Sequence, residues 1–330
     1  MIKVIAYGVR PDEELAFHEY TESHPGVELT LVHELISEDN IDQIDGHAIS
    51  TLLAELDRPL LEKLAQRGVK FISTRSIGYN NIDVKAANEL GIHVSNTSYS
   101  PGSVAEYALM HLLMGMRKVA LTEREVARNN FAIAGQDGKE VGSSTIGIIG
   151  TGRIGLRLAQ LLSGFGCTVL GYDPYENPDA KGLIEYVSLD ELFARSDAIS
   201  LHAPANPSDF HLVGRETIAK MKDGVVLVNC ARGDLVDSQA LIEALRSGKV
   251  GAAGLDVVEG DEPIFHYDWS TKQLPLEDLE VLKQLPNVIV TPHTAFYTMD
   301  VVREMVTCSM GSLRHFATSG KAGHEVKPKE

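Results

Sequence analysis

Short runs rich in β-branched residues alternate with amphipathic helical stretches along almost the whole chain, and this alternation constrains the fold more than any other feature. KVIAYGV, VELTLVHE, HAISTL, KFISTRS and HVSNT read as strands, with PDEELAFHEY, PLLEKLAQRG and NIDVKAANELG as helices between them. A second series follows, with TIGIIG, CTVLGYD, AISLHAP, GVVLVNCA, GAAGLDVV and VIVTPHT as strands and GRIGLRLAQLLSGFG, LDELFARS, ETIAKMK and SQALIEALRSG as helices. Strands that regularly regain their direction through a helix form parallel sheets covered on both faces, so two α/β units are expected. Between the two series one helical pattern runs from Ser103 to about Asn129, with Ser103 placed to cap it and Glu106 three residues on. No repeat or low-complexity linker separates the units.

At 330 residues, 44% hydrophobic and 23% charged, the chain is long and apolar enough for two cores. The 46 acidic against 30 basic residues leave a net charge of -16, which repels phosphate backbones and anionic lipid; neither nucleic acid nor a membrane surface is an expected partner. Cys167, Cys230 and Cys308 are scattered and form no CxxC pair, which argues for a reducing compartment and against a zinc site. The opening MIKVIAYGV reads as a strand rather than a signal peptide. The longest apolar stretch, VAEYALMHLLMGM, contains Glu106 and His111 and falls well short of the ~20 residues that span a bilayer, so the expected location is cytoplasmic.

The first chemical motif is GxGxxG, formed by Gly150, Gly152 and Gly155 in TIGIIGTGRIGLRLAQLL. It lies between an apolar strand and an amphipathic helix, the context in which such glycines bind a dinucleotide. The first permits a tight turn, the second lets backbone approach a pyrophosphate, and the third lets helix lie close on strand. Amides at the helix start then face the phosphates. Asp173 ends the next strand, where a carboxylate accepts from ribose hydroxyls and repels a 2′-phosphate, so the expected cofactor is NAD. A cofactor site beginning near residue 145 leaves the first unit for substrate.

Three later strands end in chemically useful residues. Arg232 follows VLVNCA, on the side of the sheet where ligands bind, and its guanidinium could fork onto a carboxylate; an isolated arginine there equally suits a surface ion pair. Asp256 ends GAAGLD, with Glu259, Asp261 and Glu262 close behind, either a solvated acidic loop or the source of a partner for a histidine. His293 in TPHTAFYT, taken alone, is one of twelve histidines at a strand end. Together, a cationic anchor, an imidazole and a nicotinamide site are the parts needed to reduce a 2-oxo acid.

TRSIGYNNID, SYSPGSVAEYAL, GIIGTGRIG, SLHAP, NCARGDLVD, GLDVVEGDEPIF and NVIVTPHTAFYT, in this order, resemble the D-2-hydroxyacid dehydrogenases, and among them the D-lactate dehydrogenases, including those of vancomycin-resistance clusters. The resemblance implies two Rossmann-like or flavodoxin-like domains with a cleft between them. Residues 1–99 plus 299–330 would bind substrate, residues 100–298 would bind NAD, and the protein would be a homodimer.

Carried over by position, Arg232 would hold the substrate carboxylate and carbonyl oxygen, and His293 would be the acid-base group. Asp256 would sit by the nicotinamide, and the cofactor set would extend to Arg153, Ile154, His202, Ala203, Pro204, Cys230 and Ala231. Amides of Ile77 and Gly78 would take the other side of the carboxylate, with Tyr99, Phe296 and Tyr297 bounding the pocket; Tyr99 and Phe296 equally suit packing at a hinge. The family usually places a glutamate five residues after the aspartate of the DV pair as partner to the histidine. Here that position is Asp261, followed by Glu262, so Asp261 is the expected partner of His293, with Glu262 as the substitute. Pyruvate is the expected substrate, with bulky Tyr79 beside the carboxylate-binding turn. A branched 2-oxo acid is the runner-up, and an NAD-binding corepressor without turnover is the reading outside enzymes.

Overall fold

The computed structural model describes residues 2–321 and 323–328. Met1, Ala322, Lys329 and Glu330, which fall in the expected first strand and C-terminal segment, lie outside the described residues. Packing divides the chain into two compact units: one runs to Ser100 and includes the segment from Tyr297 onward, and the other runs from Pro101 to Phe296.

In the first unit the order is β1 (Ile2–Ala6), α1 (Glu14–Ser23), β2 (Val27–Leu31), β3 (Ala48–Thr51), α2 (Arg58–Gln66), β4 (Phe71–Thr74), α3 (Val84–Glu89) and β5 (His93–Ser95). The strands form one parallel sheet in the order β2-β1-β3-β4-β5. Ile49, Leu61, Leu64 and Ile72 are buried in one core cluster, and Phe17 and Phe71 in another with Met310 and Leu313 of the C-terminal helix Met299–Ser319. Side chains set the helix starts: Asp57 accepts from the Leu60 amide, Asp83 from Ala86 and Thr298 from Val301.

The second unit begins with α4 (Gly102–Met116) and α5 (Val119–Ala127). It continues β6 (Thr145–Ile149), α6 (Arg153–Leu162), β7 (Thr168–Tyr172), β8 (Glu185–Tyr186), α7 (Leu189–Arg195), β9 (Ala198–Leu201), α8 (Arg215–Lys220), β10 (Val225–Asn229), α9 (Ser238–Ser247), β11 (Val250–Leu255), α10 (Glu277–Gln284) and β12 (Val288–Val290). Its parallel sheet has the order β12-β11-β10-β9-β6-β7-β8. Every residue of β10 is buried, as expected of a central strand with helices on both faces. The architecture is thus two α/β domains with parallel sheets flanked by helices.

The single helix expected from Ser103 to Asn129 is two helices. Seven α4 residues are buried and no α5 residue is, so the chain leaves the core after Met116. Lys118 turns it, in a left-handed conformation (φ 53°), and the Lys139 amide returns to the Met116 carbonyl at 2.9 Å. Ser103 is not the cap: α4 starts one residue earlier, after Pro101, and the Ser103 hydroxyl is buried without a partner among the described residues. No helix among the described residues is long and apolar enough to cross a membrane.

Candidate functional site

The glycine turn joins β6 to α6. Gly150 is left-handed (φ 90°), and a Cβ there would lie 2.6 Å from the Ala203 nitrogen, so the turn is pressed against the end of β9. A Cβ on Gly155 would lie 2.0 Å from the Gly150 carbonyl oxygen, which is why helix and strand meet only over glycine. At Gly152 a Cβ would meet nothing within 4 Å, and no side chain caps α6, whose first residues are Arg153 and Ile154. Asp173, just past β7, accepts the Thr151 amide at 2.8 Å and the Tyr175 amide at 3.0 Å, which ties it to the same turn. Open space at Gly152, a helix N-terminus and a fixed carboxylate at the next strand fit the phosphates and ribose of a dinucleotide.

His202, Ala203 and Pro204 follow β9. His202 Nε2 pairs with Ser200 Oγ at 2.9 Å, and burial pushes its imidazole down to about 4, so it is neutral at pH 7. Cys230 and Ala231 lie buried just past β10. Burial and the nearby Asp256 charge raise the Cys230 thiol well above its usual range, so it stays a protonated thiol rather than a nucleophile.

Asn229 shapes the next turn, its side chain accepting the Ala231 amide at 3.0 Å and donating to the Arg232 carbonyl at 2.9 Å. Arg232 donates from Nη1 to the Ala231 carbonyl at 2.7 Å and makes no ion pair among the described residues, so the surface-ion-pair reading does not hold. Its half-buried guanidinium keeps donors for a planar anion.

Asp256 is fully buried, and its carboxylate is spent on the His293 turn. It accepts from Thr291 Oγ1 at 2.6 Å and from the Thr294 and Ala295 amides at 2.9 Å each, while its carbonyl accepts the His293 amide at 2.8 Å. His111 of α4 backs this arrangement, its Nε2 lying 3.3 Å from Thr291 Oγ1. Since the threonine proton goes to Asp256, the histidine is the donor. The turn leaves His293 left-handed (φ 53°), a costly conformation that these bonds over-determine.

The His293 imidazole is pushed down to about 4, by burial first and then by the Arg232 and His266 charges, against the opposing pull of Asp256. Asp261 corrects an expectation. It is buried, its carboxylate accepts the Val258 amide at 2.7 Å, and no hydrogen bond or ion pair joins it to His293 among the described residues. Burial raises it to about 6, helped by Glu262 and Asp234. The shorter side chain turns inward to its own loop, Glu262 is exposed, and the carboxylate whose charge raises the His293 imidazole is that of Asp256.

Phe296 stands edge-on to His293, ring centroids 6.4 Å apart, and His266 is at 5.9 Å from His293 with its Nε2 on the His293 carbonyl at 3.0 Å. Sequence reasoning missed His111, His266, Thr291 and Thr294, whose roles arise from loop packing.

In the first unit, Ile77 and Gly78 follow β4. Their carbonyls are taken by Asn96 Nδ2 (2.8 Å) and Ser76 Oγ (2.6 Å), while their amides donate to no acceptor among the described residues. Tyr99 is half-buried on the segment after β5, Tyr79 packs on the core, and Tyr297 is exposed with the Arg10 guanidinium 5.3 Å from its ring centroid.

Residues 109–295 match the family model for the D-isomer specific 2-hydroxyacid dehydrogenase, NAD binding domain. The chain is 42% identical over 323 residues to an aromatic 2-oxoacid reductase of Clostridium sporogenes, covering 97% of each. It is 41% identical over 330 residues to a D-lactate dehydrogenase of Lactiplantibacillus plantarum, covering 99% of each. A D-lactate dehydrogenase structure from Treponema pallidum superposes with a TM-score of 0.92 at 34% identity, over 99% of this chain and 100% of that one. The chain therefore belongs to the D-isomer specific 2-hydroxyacid dehydrogenases, NAD-dependent oxidoreductases, with its NAD-binding domain at residues 109–295.

Proposed function

We propose that the protein is an NAD-dependent D-lactate dehydrogenase that reversibly reduces pyruvate to D-lactate. The observation that carries this reading is the arrangement at three neighbouring strand ends: an arginine without an ion pair among the described residues, a histidine on a strained turn, and the buried aspartate that holds that turn.

Gly150, Gly152 and Gly155, with the amides at the start of α6, would hold the cofactor phosphates, and Asp173 the ribose, where its charge disfavours a 2′-phosphate. Arg153, Ile154, His202, Ala203, Pro204, Cys230, Ala231 and Asp256 complete that set. Bound NADH supplies a hydride to the carbonyl carbon. Arg232 binds the carboxylate and polarises the carbonyl oxygen, and His293 delivers the proton to that oxygen. In the first unit the Ile77 and Gly78 amides, which donate to no acceptor among the described residues, are suited to hold a carboxylate.

With its imidazole depressed, His293 starts neutral, suited to take a proton from D-lactate. In reduction the substrate's negative charge helps it to bind the proton it must give, so reduction slows as pH rises and oxidation slows as pH falls. Asp256 rather than Asp261 keeps this proton within reach.

Phe131 and Ile133, 73% and 87% exposed on the loop after α5, support a homodimer in which this arm is covered. The three free cysteines support a cytoplasmic location. A larger 2-oxo acid, branched or aromatic, is the second reading, favoured by the similarity to the Clostridium sporogenes reductase.

The test is NADH oxidation with pyruvate, 2-oxobutyrate, 2-oxo-4-methylpentanoate, phenylpyruvate and phosphohydroxypyruvate, followed by chiral analysis. Highest kcat/KM on pyruvate with D-lactate formed is expected. Preference for a branched or aromatic acid selects the second reading, and NADH binding without turnover on any acid selects a corepressor-like role.

A further inference from the structure

His266 is a ring neighbour of His293 that the proposed chemistry does not use. It lies beyond β11 on a loop anchored by buried Ile264, whose carbonyl accepts from Trp269 Nε1 at 3.1 Å and from the Tyr267 amide at 3.3 Å. Both His266 (φ 71°) and His293 (φ 53°) are left-handed, and the bond from His266 Nε2 to the His293 carbonyl joins the two strained backbones at 3.0 Å. The two imidazoles and Phe296 form a group of three rings with centroids 5.9 to 6.4 Å apart.

We propose that His266 is a positioning residue for the reaction: its Nε2 proton holds the His293 carbonyl, and its ring charge sets how readily His293 takes up the proton it transfers. This rests on His293 being the acid-base group. A carbonyl can only accept, so Nε2 keeps its proton in either charge state. A positive ring this near disfavours a second one on His293, the direction in which His266 acts on it.

The other charges on His293 are Arg232, past β10, which acts in the same sense, and Asp256, past β11, which opposes both. Lys283 of α10 lines a cavity of about 340 Å³ together with His266, Trp269, Thr291 and Pro292, and is paired with Glu280 at 3.2 Å. His266 is exposed, so its influence falls with salt, whereas that of buried Asp256 does not.

The experiment compares the full-length parent with His266→Gln, which keeps a donor at similar reach but no charge, and His266→Phe, which keeps a ring but neither donor nor charge. For each, kcat/KM is measured against pH in both directions at low and high salt, on the best 2-oxo acid and its hydroxy acid. The His293 ring is titrated by NMR in parallel, assigned by the signal lost in His293→Asn.

In His266→Gln the pH above which reduction slows is expected to rise by roughly half to one unit at low salt, and less at high salt, with kcat within about three-fold of the parent. The NMR titration of His293 should move with it. His266→Phe should show the same shift plus a fall in kcat on the order of ten-fold, from the lost donor. Parental profiles and an unmoved His293 titration in both variants would overturn the proposal. If the parent turns over no 2-oxo acid, it is the proposed function that has failed, while the NMR titration still decides whether His266 acts on His293.

Discussion

The two sheets share a topology at their centres but use it in opposite ways. In each, the first strand lies inside the sheet and the chain winds away on both sides, leaving a crevice where the strand order reverses, between β1 and β3 and between β6 and β9. In the second unit the turn is left open at Gly152, two residues after Gly150, which lies against His202 and Ala203 past β9. In the first unit the protein fills it with its own charges. Arg75, fully buried, donates to the Tyr7 and Gly8 carbonyls (3.0 Å each), to Ser50 Oγ (3.0 Å), and with two nitrogens to buried Glu13 (2.8 and 3.2 Å). Topology therefore offers a binding place, and the side chains at the strand ends decide whether a ligand or the protein itself occupies it.

The largest effect should come from opening the filled crevice. Glu13→Gln leaves a buried guanidinium without its counter-charge and is expected to lower stability by about 3–5 kcal/mol in urea unfolding, with NADH affinity within about three-fold of the parent. Combining Glu13→Leu with Arg75→Met should recover most of that loss, because two apolar groups leave no charge unpaired. An equal fall in NADH affinity in the single variant would erase the distinction between the crevices.

Buried acids sharpen the contrast. Glu13 is matched by a cation, but Asp261 is raised to about 6 by burial, so its folded pKa lies above its unfolded one. Folding then favours the protonated form: the contribution is fully present below about pH 4 and is lost as pH rises through about 6, up to about 3 kcal/mol in all. Asp261→Asn should flatten unfolding free energy over this range, and a slope equal to the parent's would place the effect elsewhere.

Gly155→Ala probes the open crevice. The added carbon must push the Gly150 carbonyl and tilt α6 away from β6, so NADH affinity is expected to fall on the order of 100-fold by fluorescence titration. Affinity within a few-fold of the parent would mean that this turn does not hold the cofactor.

The open crevice was legible in the sequence because its function is local: three glycines, a strand and a helix lie within a short segment, and Asp173 ends the next strand. The filled crevice was not, because Glu13, Ser50 and Arg75 come from three separated segments and no short pattern joins them. The break at Lys118 was hidden by a helical period that continues past it. The role of Asp256 was visible only in part, since its three acceptor bonds go to a turn more than 30 residues on. Asp261 was placed by family position, but one methylene less leaves it bonded to the Val258 amide of its own loop. His266 and His111 lie outside every motif and became functional candidates only through loop and helix packing.

The central claim is that His293 moves the proton while the glycine turn binds the cofactor. The most direct test is kcat for reduction of the best 2-oxo acid and the NADH dissociation constant, measured side by side for the parent and His293→Ala. A fall in kcat on the order of 100-fold to 10,000-fold is expected, with NADH affinity within about three-fold of the parent. Retained kcat, or a loss of NADH binding that accounts for the loss of rate, would contradict the account.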